Sequence, residues 1–250
     1  LNPRRTALVT GASQGIGATI AVALARAGYD VAVTELSAPP LADTLRQVEA
    51  EGRRAVPVVL DLRIQESIDR ALSEGVKALG HLDLLVNNAG VTLRRNALEV
   101  TPEEWAAVVD VNLSGTFFMT QCMGRYLVGA GRRGSVITLS SAHGMLGYPE
   151  RSTYGITKAG LIHMTRTLAI EWAGHGIRVN AIAPGTIATP SRAAFFASDP
   201  VALKAMTDRI PLKRFGTTEE VAAMVCYLAS PGAEYITGQT LVLEGGLTSY

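Results

Sequence analysis

Tyr154 and Lys158 stand four residues apart in "STYGITKAG" (152–160). On a helix that spacing places a phenol and an ammonium on one face, about 40° apart. A phenol with a pKa near ~10 exchanges protons poorly at neutral pH. A cation beside it favours the phenolate and makes it useful for proton transfer. The same spacing also fits a half-buried tyrosine followed one turn later by a solvated lysine, and the pair alone does not decide between the two.

A second stretch, "TGASQGIG" (10–17), carries Gly11, Gly15 and Gly17 between an apolar strand-like run, "TALVT" (6–10), and a helical pattern over 15–28. Glycines there let a backbone approach a pyrophosphate closely, and the helix start offers unpaired N–H groups and a positive dipole end. A plain strand-to-helix turn is the alternative. "GASQG" also matches the nucleophile elbow of α/β-hydrolases around Ser13. That elbow belongs in mid-sheet, with an acid and then a histidine later in the chain. Here it follows the first strand, and the last histidine, His175, lies in a helical stretch. The expectation is therefore a dinucleotide site. Glu35, at the end of "DVAVTE" (30–35) and 18 residues after Gly17, has the spacing of an acid that binds the adenosine ribose. Its carboxylate repels a 2′-phosphate, and neighbouring Gln14 and Leu36 bring no positive charge. NAD is expected ahead of NADP, with a solvent-facing Glu at a strand end as the alternative.

These residues need elements to hold them. Short β-branched runs alternate with longer helical patterns: strands at 6–10, 30–35, 55–60, 82–88, 135–141, 177–184 and 239–244, and helices at 15–28, 41–52, 65–79, 152–174 and 218–229. Pro57 marks its strand as lying near an edge. A long helix starts at Thr101-Pro102-Glu103-Glu104, with Pro in the first turn. Residues 186–216 have no clean period and form a substrate-loop segment. Strand–helix alternation with continuously apolar strands predicts an α/β fold: a doubly wound parallel sheet with helices on both faces, in a single domain over 1–250.

Composition narrows the setting. The 250 residues are 48% hydrophobic and 18% charged, with a net charge of +1. No charge excess points to nucleic acid or an anionic membrane, and no apolar run reaches the ~18 residues of a membrane span. Cys122 and Cys226 show no paired-ligand spacing and read as buried free thiols. A cytoplasmic setting is expected.

The motifs together carry a resemblance. "TGASQGIG" (10–17), "DL" (61–62), "NNAG" (87–90), Asn112, Ser141, "YGITK" (154–158) and "PGTIAT" (184–189) occur in the order found in the short-chain dehydrogenase/reductases, over essentially the whole chain. The resemblance implies a Rossmann-type sheet of about seven strands. It implies a catalytic set of Asn112, Ser141, Tyr154 and Lys158: Tyr154 as general acid/base, Lys158 favouring the phenolate and holding the nicotinamide ribose, Ser141 bonding the substrate oxygen, and Asn112 organising a water behind Lys158. It implies cofactor contacts from Gly11, Ser13, Gln14, Gly15, Ile16, Gly17 and Glu35. Asp61 and Leu62 would lie by the adenine, Asn88, Ala89 and Gly90 beneath the cofactor, and Pro184, Gly185, Ile187 and Thr189 at the carboxamide end. The implied reaction is hydride transfer between a secondary alcohol and a ketone, without a metal, and the implied assembly is a homotetramer. Gly155 and Gly160 give the tyrosine helix a small face for close packing.

Substrate is the least patterned part. "TLRRNALEVTPEEW" (92–105) resembles sugar-acid and polyol dehydrogenases of the family. The alternative is a 3-oxoacyl-[acyl-carrier-protein] reductase using NADPH, with Arg132 and Arg133 as carrier contacts; a sensor that binds the dinucleotide without chemistry is a third class. Arg94, Arg95 and Arg151 could bind an anionic substrate or be solvated, and His143 could reach the pocket.

Overall fold

The computed structural model describes residues 4–190, 192 and 199–249. β1 (Arg5–Val9), β2 (Tyr29–Glu35), β3 (Ala55–Val59), β4 (Leu84–Asn87), β5 (Gly134–Leu139), β6 (Ile177–Pro184) and β9 (Thr240–Leu243) join in one parallel sheet, in the order β3-β2-β1-β4-β5-β6-β9. β7 (Ile187–Ala188) and β8 (Gly216–Thr217) form a separate two-stranded pair. The helices are α1 (Gly15–Arg26), α2 (Ala42–Ala50), α3 (Gln65–Leu79), α4 (Pro102–Val109), α5 (Thr116–Gly129), α6 (Ser152–Trp172), α7 (Pro200–Asp208) and α8 (Thr218–Ala229).

The strands send alternate residues into two cores because side chains on a strand point to opposite faces. Ala7 and Val9 of β1 join Ile20 and Leu24 of α1 and Val221 and Val225 of α8 on one face. Leu8 joins Ile68 of α3, Met119 and Met123 of α5 and Leu161 of α6 on the other. Burial on both faces explains why the central strands are apolar without alternation. Pro57 lies in β3, at the sheet edge, where a missing ladder donor is tolerated.

One expectation is corrected here. The long helix after Thr101 begins as expected, with Thr101 and Glu104 forming a reciprocal capping box, and runs on to Gly129, but its α-helical ladder is interrupted. Asp110–Gly115 forms a widened i→i+5 turn between α4 and α5. Gly115 packs there so closely that a β-carbon would stand 2.3 Å from the Leu62 carbonyl oxygen.

The strand order also locates the ligand cleft. From β1 the chain runs outward through β2 to β3, then returns to β4 on the other side of β1. The crevice at the carboxyl ends of β1 and β4 is the topological switch point, where ligands bind in such sheets.

Candidate active site

The turn after β1 is closed by its own backbone. Gly11 and Gly15 have φ of 63° and 57°, a left-handed conformation that glycine adopts without penalty. A β-carbon on Gly11 would stand 2.9 Å from the Ala89 Cα, and one on Gly17 would stand 2.2 Å from the Gly11 carbonyl oxygen. Asn88 ties the turn to β4: its Nδ2 donates to the carbonyls of Thr10 and Gly11 at 3.0 and 2.8 Å. The backbone N–H groups of Asn88 and Ala89 donate to the Thr10 hydroxyl, both at 3.0 Å. α1 then begins at Gln14 with no side-chain cap, so its first N–H groups keep their donor capacity.

Three recesses run in series along the strand ends. The first, about 600 Å³, is lined by Gly11, Ser13, Gln14, Glu35, Asp61, Leu62, Asn88, Ala89 and Gly90. The second, about 160 Å³, shares Asn88 and Gly90 with it and adds Ile16, Ser141, Tyr154, Lys158, Pro184, Gly185, Ile187 and Thr189. The third, about 180 Å³, shares Ser141, Tyr154 and Gly185 with the second and runs on to His143, Arg151 and Arg209. All the sequence-predicted cofactor residues line the first two recesses except Gly15 and Gly17, which shape the turn from inside. Glu35 accepts from the Ser13 hydroxyl at 2.6 Å and from the Leu36 backbone N–H at 3.0 Å, which fixes its carboxylate at the end of β2. Ser13 is thus bonded to a carboxylate and not to a histidine, unlike a hydrolase nucleophile. The geometry fits an adenine dinucleotide: a closed glycine turn, uncapped N–H groups and the Glu35 carboxylate at the end of β2 lie along one cavity.

β5 and α6 bring the chemistry together. Lys158 is 4% exposed, so it is not a solvated surface lysine. Its Nζ donates to the Leu139 carbonyl at 2.8 Å, while the Ser140 hydroxyl donates to the Lys158 carbonyl at 2.8 Å. These two bonds clamp α6 to the end of β5. Nζ lies 5.6 Å from the centre of the Tyr154 ring. Burial depresses the Lys158 pKa to about 8. Burial also raises the Tyr154 pKa, opposed by a hydrogen bond to Ser141 and by the charges of Arg192 and Arg151. The expected phenolate is therefore not favoured by the chain alone: desolvation outweighs the cations, and the opposing cations are two arginines rather than Lys158. Asn112 lines none of the three recesses. It is fully buried in the widened turn, where its Oδ1 accepts from the Val91 N–H and its Nδ2 donates to the Val91 carbonyl, both at 2.8 Å. A β-carbon on Gly90 would stand 3.1 Å from Asn112 Oδ1 and 3.7 Å from Lys158 Nζ, so the two side chains converge there.

Gly155 and Gly160 give α6 the close packing expected of them, against other parts of the same chain. Added β-carbons would meet the His143 carbonyl oxygen and Leu113 Cδ1, each at 2.9 Å, within the same chain. Arg95 does not reach the recesses; it pairs with Glu104 at 2.6 Å. Arg94 lines the third recess but is paired with Glu150. Arg132 and Arg133 precede β5, whereas Ser141 follows it. The six residues of β5 put them roughly 20 Å or more from the chemistry, and Arg132 is paired with Asp83. Cys122 and Cys226 are half-buried rather than buried, and burial pushes the Cys122 thiol up to about 11. Of the 186–216 segment, residues 191 and 193–198 lie outside the described residues.

Sequence reasoning missed three cations. Arg63 lines the first recess but is held bidentately by Asp61 at 2.9 and 2.6 Å. Arg192 lines the second and third recesses, and Arg209 the third. The available signal for Arg192 was its place three residues after Thr189; Arg209, just past α7, carries no local signal.

Comparison with known proteins agrees with this geometry. A family model described as enoyl-(acyl carrier protein) reductase matches residues 11–248. A 3-oxoacyl-[acyl-carrier-protein] reductase from Thermotoga maritima is 38% identical over 243 residues, 97% of each chain. A 2-dehydro-3-deoxy-D-gluconate 5-dehydrogenase from Escherichia coli is 36% identical over 242 residues, 97% of this chain and 94% of the relative. A solved structure from Agrobacterium tumefaciens, described as a 2-deoxy-D-gluconate 3-dehydrogenase with bound NADP, has a TM-score of 0.90 at 36% identity and covers 100% of both chains. The chain belongs to the short-chain dehydrogenase/reductase family, NAD(P)-dependent oxidoreductases that act on CH–OH groups. The relatives divide between carrier-protein and sugar-acid substrates at similar identity, and the NADP bound in that neighbour points to NADP and does not support the expected NAD preference.

Proposed function

We propose that the chain interconverts a secondary alcohol and a ketone on a sugar acid or polyol, with NAD preferred and Tyr154 as its acid/base. The observation that carries this reading is the shared wall. Tyr154, Ser141 and Lys158 stand where the dinucleotide-shaped cavity opens into a recess of substrate size. The nicotinamide, when bound, supplies the hydride acceptor or donor. The side chains handle the proton and the orientation. Tyr154, held protonated by burial, gives its proton to a carbonyl oxygen in reduction and takes the hydroxyl proton in oxidation. Ser141 hydrogen-bonds the same oxygen and the phenol, which fixes the approach. The phenolate left after reduction lies near Arg192 and Arg151, whose charges stabilise it. Asn112 anchors the Val91 backbone beside Lys158 and acts as a positioning residue.

The NAD preference is supported by Glu35, fixed at the β2 end, and by Arg63, whose guanidinium is already engaged by Asp61. Assembly as a cytoplasmic homotetramer is supported by the family resemblance. The carrier-protein alternative keeps the Thermotoga relative in its favour, but the arginines suggested for docking stand at the wrong end of the sheet. The deciding experiment is a panel of sugar acids, polyols and 3-oxoacyl thioesters assayed with both cofactors by nicotinamide absorbance. Turnover of a sugar acid or polyol with NAD supports the proposal. Turnover of thioesters alone, with NADPH, replaces it with the carrier-protein reading.

A further inference from the structure

We infer that the third recess is an anion subsite that holds the carboxylate of the substrate on Arg151 and Arg192, so that this enzyme acts on a small hydroxy or oxo acid and not on a neutral polyol or a thioester. The inference rests on Tyr154 being the acid/base, because that residue is the wall the recess shares with the cofactor cavity.

Three observations lead to it. First, the recess is lined by cations and, among the described residues, by no carboxylate. Arginines elsewhere in the chain commonly sit against acids: Arg26 on Glu51, Arg63 on Asp61, Arg95 on Glu104 and Arg214 on Glu220. Among the described residues Arg151 and Arg192 form no ion pair; Arg151 donates only to the Leu93 carbonyl, at 3.2 Å. Two guanidiniums that line one recess, one of them half-buried, are a cost to the folded chain that an anion between them relieves. Burial lowers the Arg192 pKa, with the charge of Arg151 adding to the effect.

Second, the recess offers further polar groups. His143 lines it between the rings of Tyr148 and Tyr154, with centroids at 5.3 and 6.1 Å. Its Nδ1 is buried with no hydrogen-bond partner among the described residues. Burial and the charges of Arg151, Arg192 and Arg209 hold its pKa down, so it stays neutral and can donate to or accept from a substrate hydroxyl. Arg209 is stacked 4.9 Å over Tyr148, which adds positive potential at the far wall.

Third, the backbone before Arg151 is bent out of the ordinary. Glu150 has φ 63°, which a residue with a β-carbon adopts only at a cost. Glu150 is held there by the Arg95 N–H donating to its carbonyl at 3.0 Å and by its ion pair with Arg94. Glu150 thus neutralises Arg94 at the rim and leaves Arg151 unpaired deeper in. A thioester presents no negative charge next to its reacting carbonyl, and a polyol presents none at all. A carboxylate a few bonds from the reacting carbon meets both guanidiniums in charge-assisted hydrogen bonds.

The test is binding without turnover. Hydroxy acids cannot react while the cofactor is already reduced, so calorimetric titration in the presence of NADH reads affinity alone. Lactate, 3-hydroxybutyrate and D-gluconate are each titrated against their own amides. At least one acid should bind 10-fold or more tightly than its amide. Arg192→Gln and Arg151→Gln should each shrink that ratio, and the double variant should bring it within about twofold. Arg192→Lys should retain part of it, which separates lost charge from lost packing. Arg95→Gln, outside the recess, should leave it unchanged. Tyr154→Phe should keep the acid preference while losing turnover, so failure of the acid/base reading and failure of the subsite show up separately. Equal affinity for acids and amides, or binding of none of the acids, overturns the inference.

Discussion

The two ends of the cleft are built from different materials. At the β1–β2 end the walls are backbone: Gly11 against Ala89, Gly17 against the Gly11 carbonyl, and Asn88 bonded into the turn. A β-carbon in the wrong place closes that end, and its charged walls are fixed: Glu35 by two hydrogen bonds, Asp61 and Arg63 by each other. At the far end the walls are long side chains from separate segments, Arg151 before α6, Arg192 after β7 and Arg209 after α7. The first end suits a ligand that never changes. The second can be remade by changing a few side chains without moving the sheet, which fits relatives of similar identity that act on different substrates.

The sharpest way to test this division is to disable the shared wall. Tyr154→Phe should lower kcat by about 10³-fold or more, while NADH affinity by fluorescence titration stays within about threefold. A variant that keeps turnover within tenfold of the parent removes Tyr154 from the chemistry. The backbone end should fail differently. Gly17→Ala forces a β-carbon onto backbone, so NADH affinity should drop by roughly 10²-fold and the unfolding free energy by about 1–3 kcal/mol. If affinity survives, the turn is more pliable than its contacts indicate.

The charged wall comes next in size. Two unit charges ~4 Å apart repel by roughly 4 kcal/mol at an effective dielectric near 20; screening reduces this to about 1–3 kcal/mol, or roughly 5- to 150-fold. NAD should therefore exceed NADP by about tenfold or more in kcat/KM. Glu35→Ala should narrow the gap, and Glu35→Ala with Leu36→Arg should reverse it. Equal use of the two by the unmutated enzyme overturns the argument.

The smallest effect concerns stability. Lys158 titrates near 8 in the folded chain against an ordinary 10.5, so burying its charge costs about 3 kcal/mol at pH 7. Between about pH 8 and 10.5 the unfolded chain binds more protons than the folded one, so stability rises with pH and the cost fades. Lys158→Met removes that cost and leaves the Leu139 carbonyl without its donor, worth about 1 kcal/mol. The cofactor-free variant should be about 1–2 kcal/mol more stable than the parent in urea at pH 7, and the advantage should vanish by about pH 10. No gain at pH 7 means that the clamp between α6 and β5 outweighs the buried charge.

The same division explains what the sequence made legible. The succession of strands and helices along the chain, and hence a parallel sheet, follows from alternation of apolar runs and helical patterns, and the glycine turn follows from steric limits that hold wherever a backbone must come close. Glu35 is found by counting from Gly17, because β2 has a fixed rise. Tyr154 and Lys158 are legible as a pair because a helix fixes their separation. Arg192 and Arg209 were not, because segments without a period converge only in the fold. The direction of the Tyr154 shift was also hidden, since it depends on how much the surrounding elements bury the ring. The widened turn between α4 and α5 carries no compositional mark; it is where Gly115 comes close to Leu62.

That widened turn has a consequence for how the gene can change. It works as a spacer between two helical faces that share one axis but not one phase: Val108 is buried on α4, while Met119, Met123 and Leu127 are buried on α5. Adding a single residue within 113–115 would rotate everything after it by about 100° and carry those three side chains out of the core. Apart from Asn112 and Gly115, the stretch should thus accept changes of residue type more readily than added length, whereas a codon gained at the exposed turn of residues 130–133 would pass with little effect on the site.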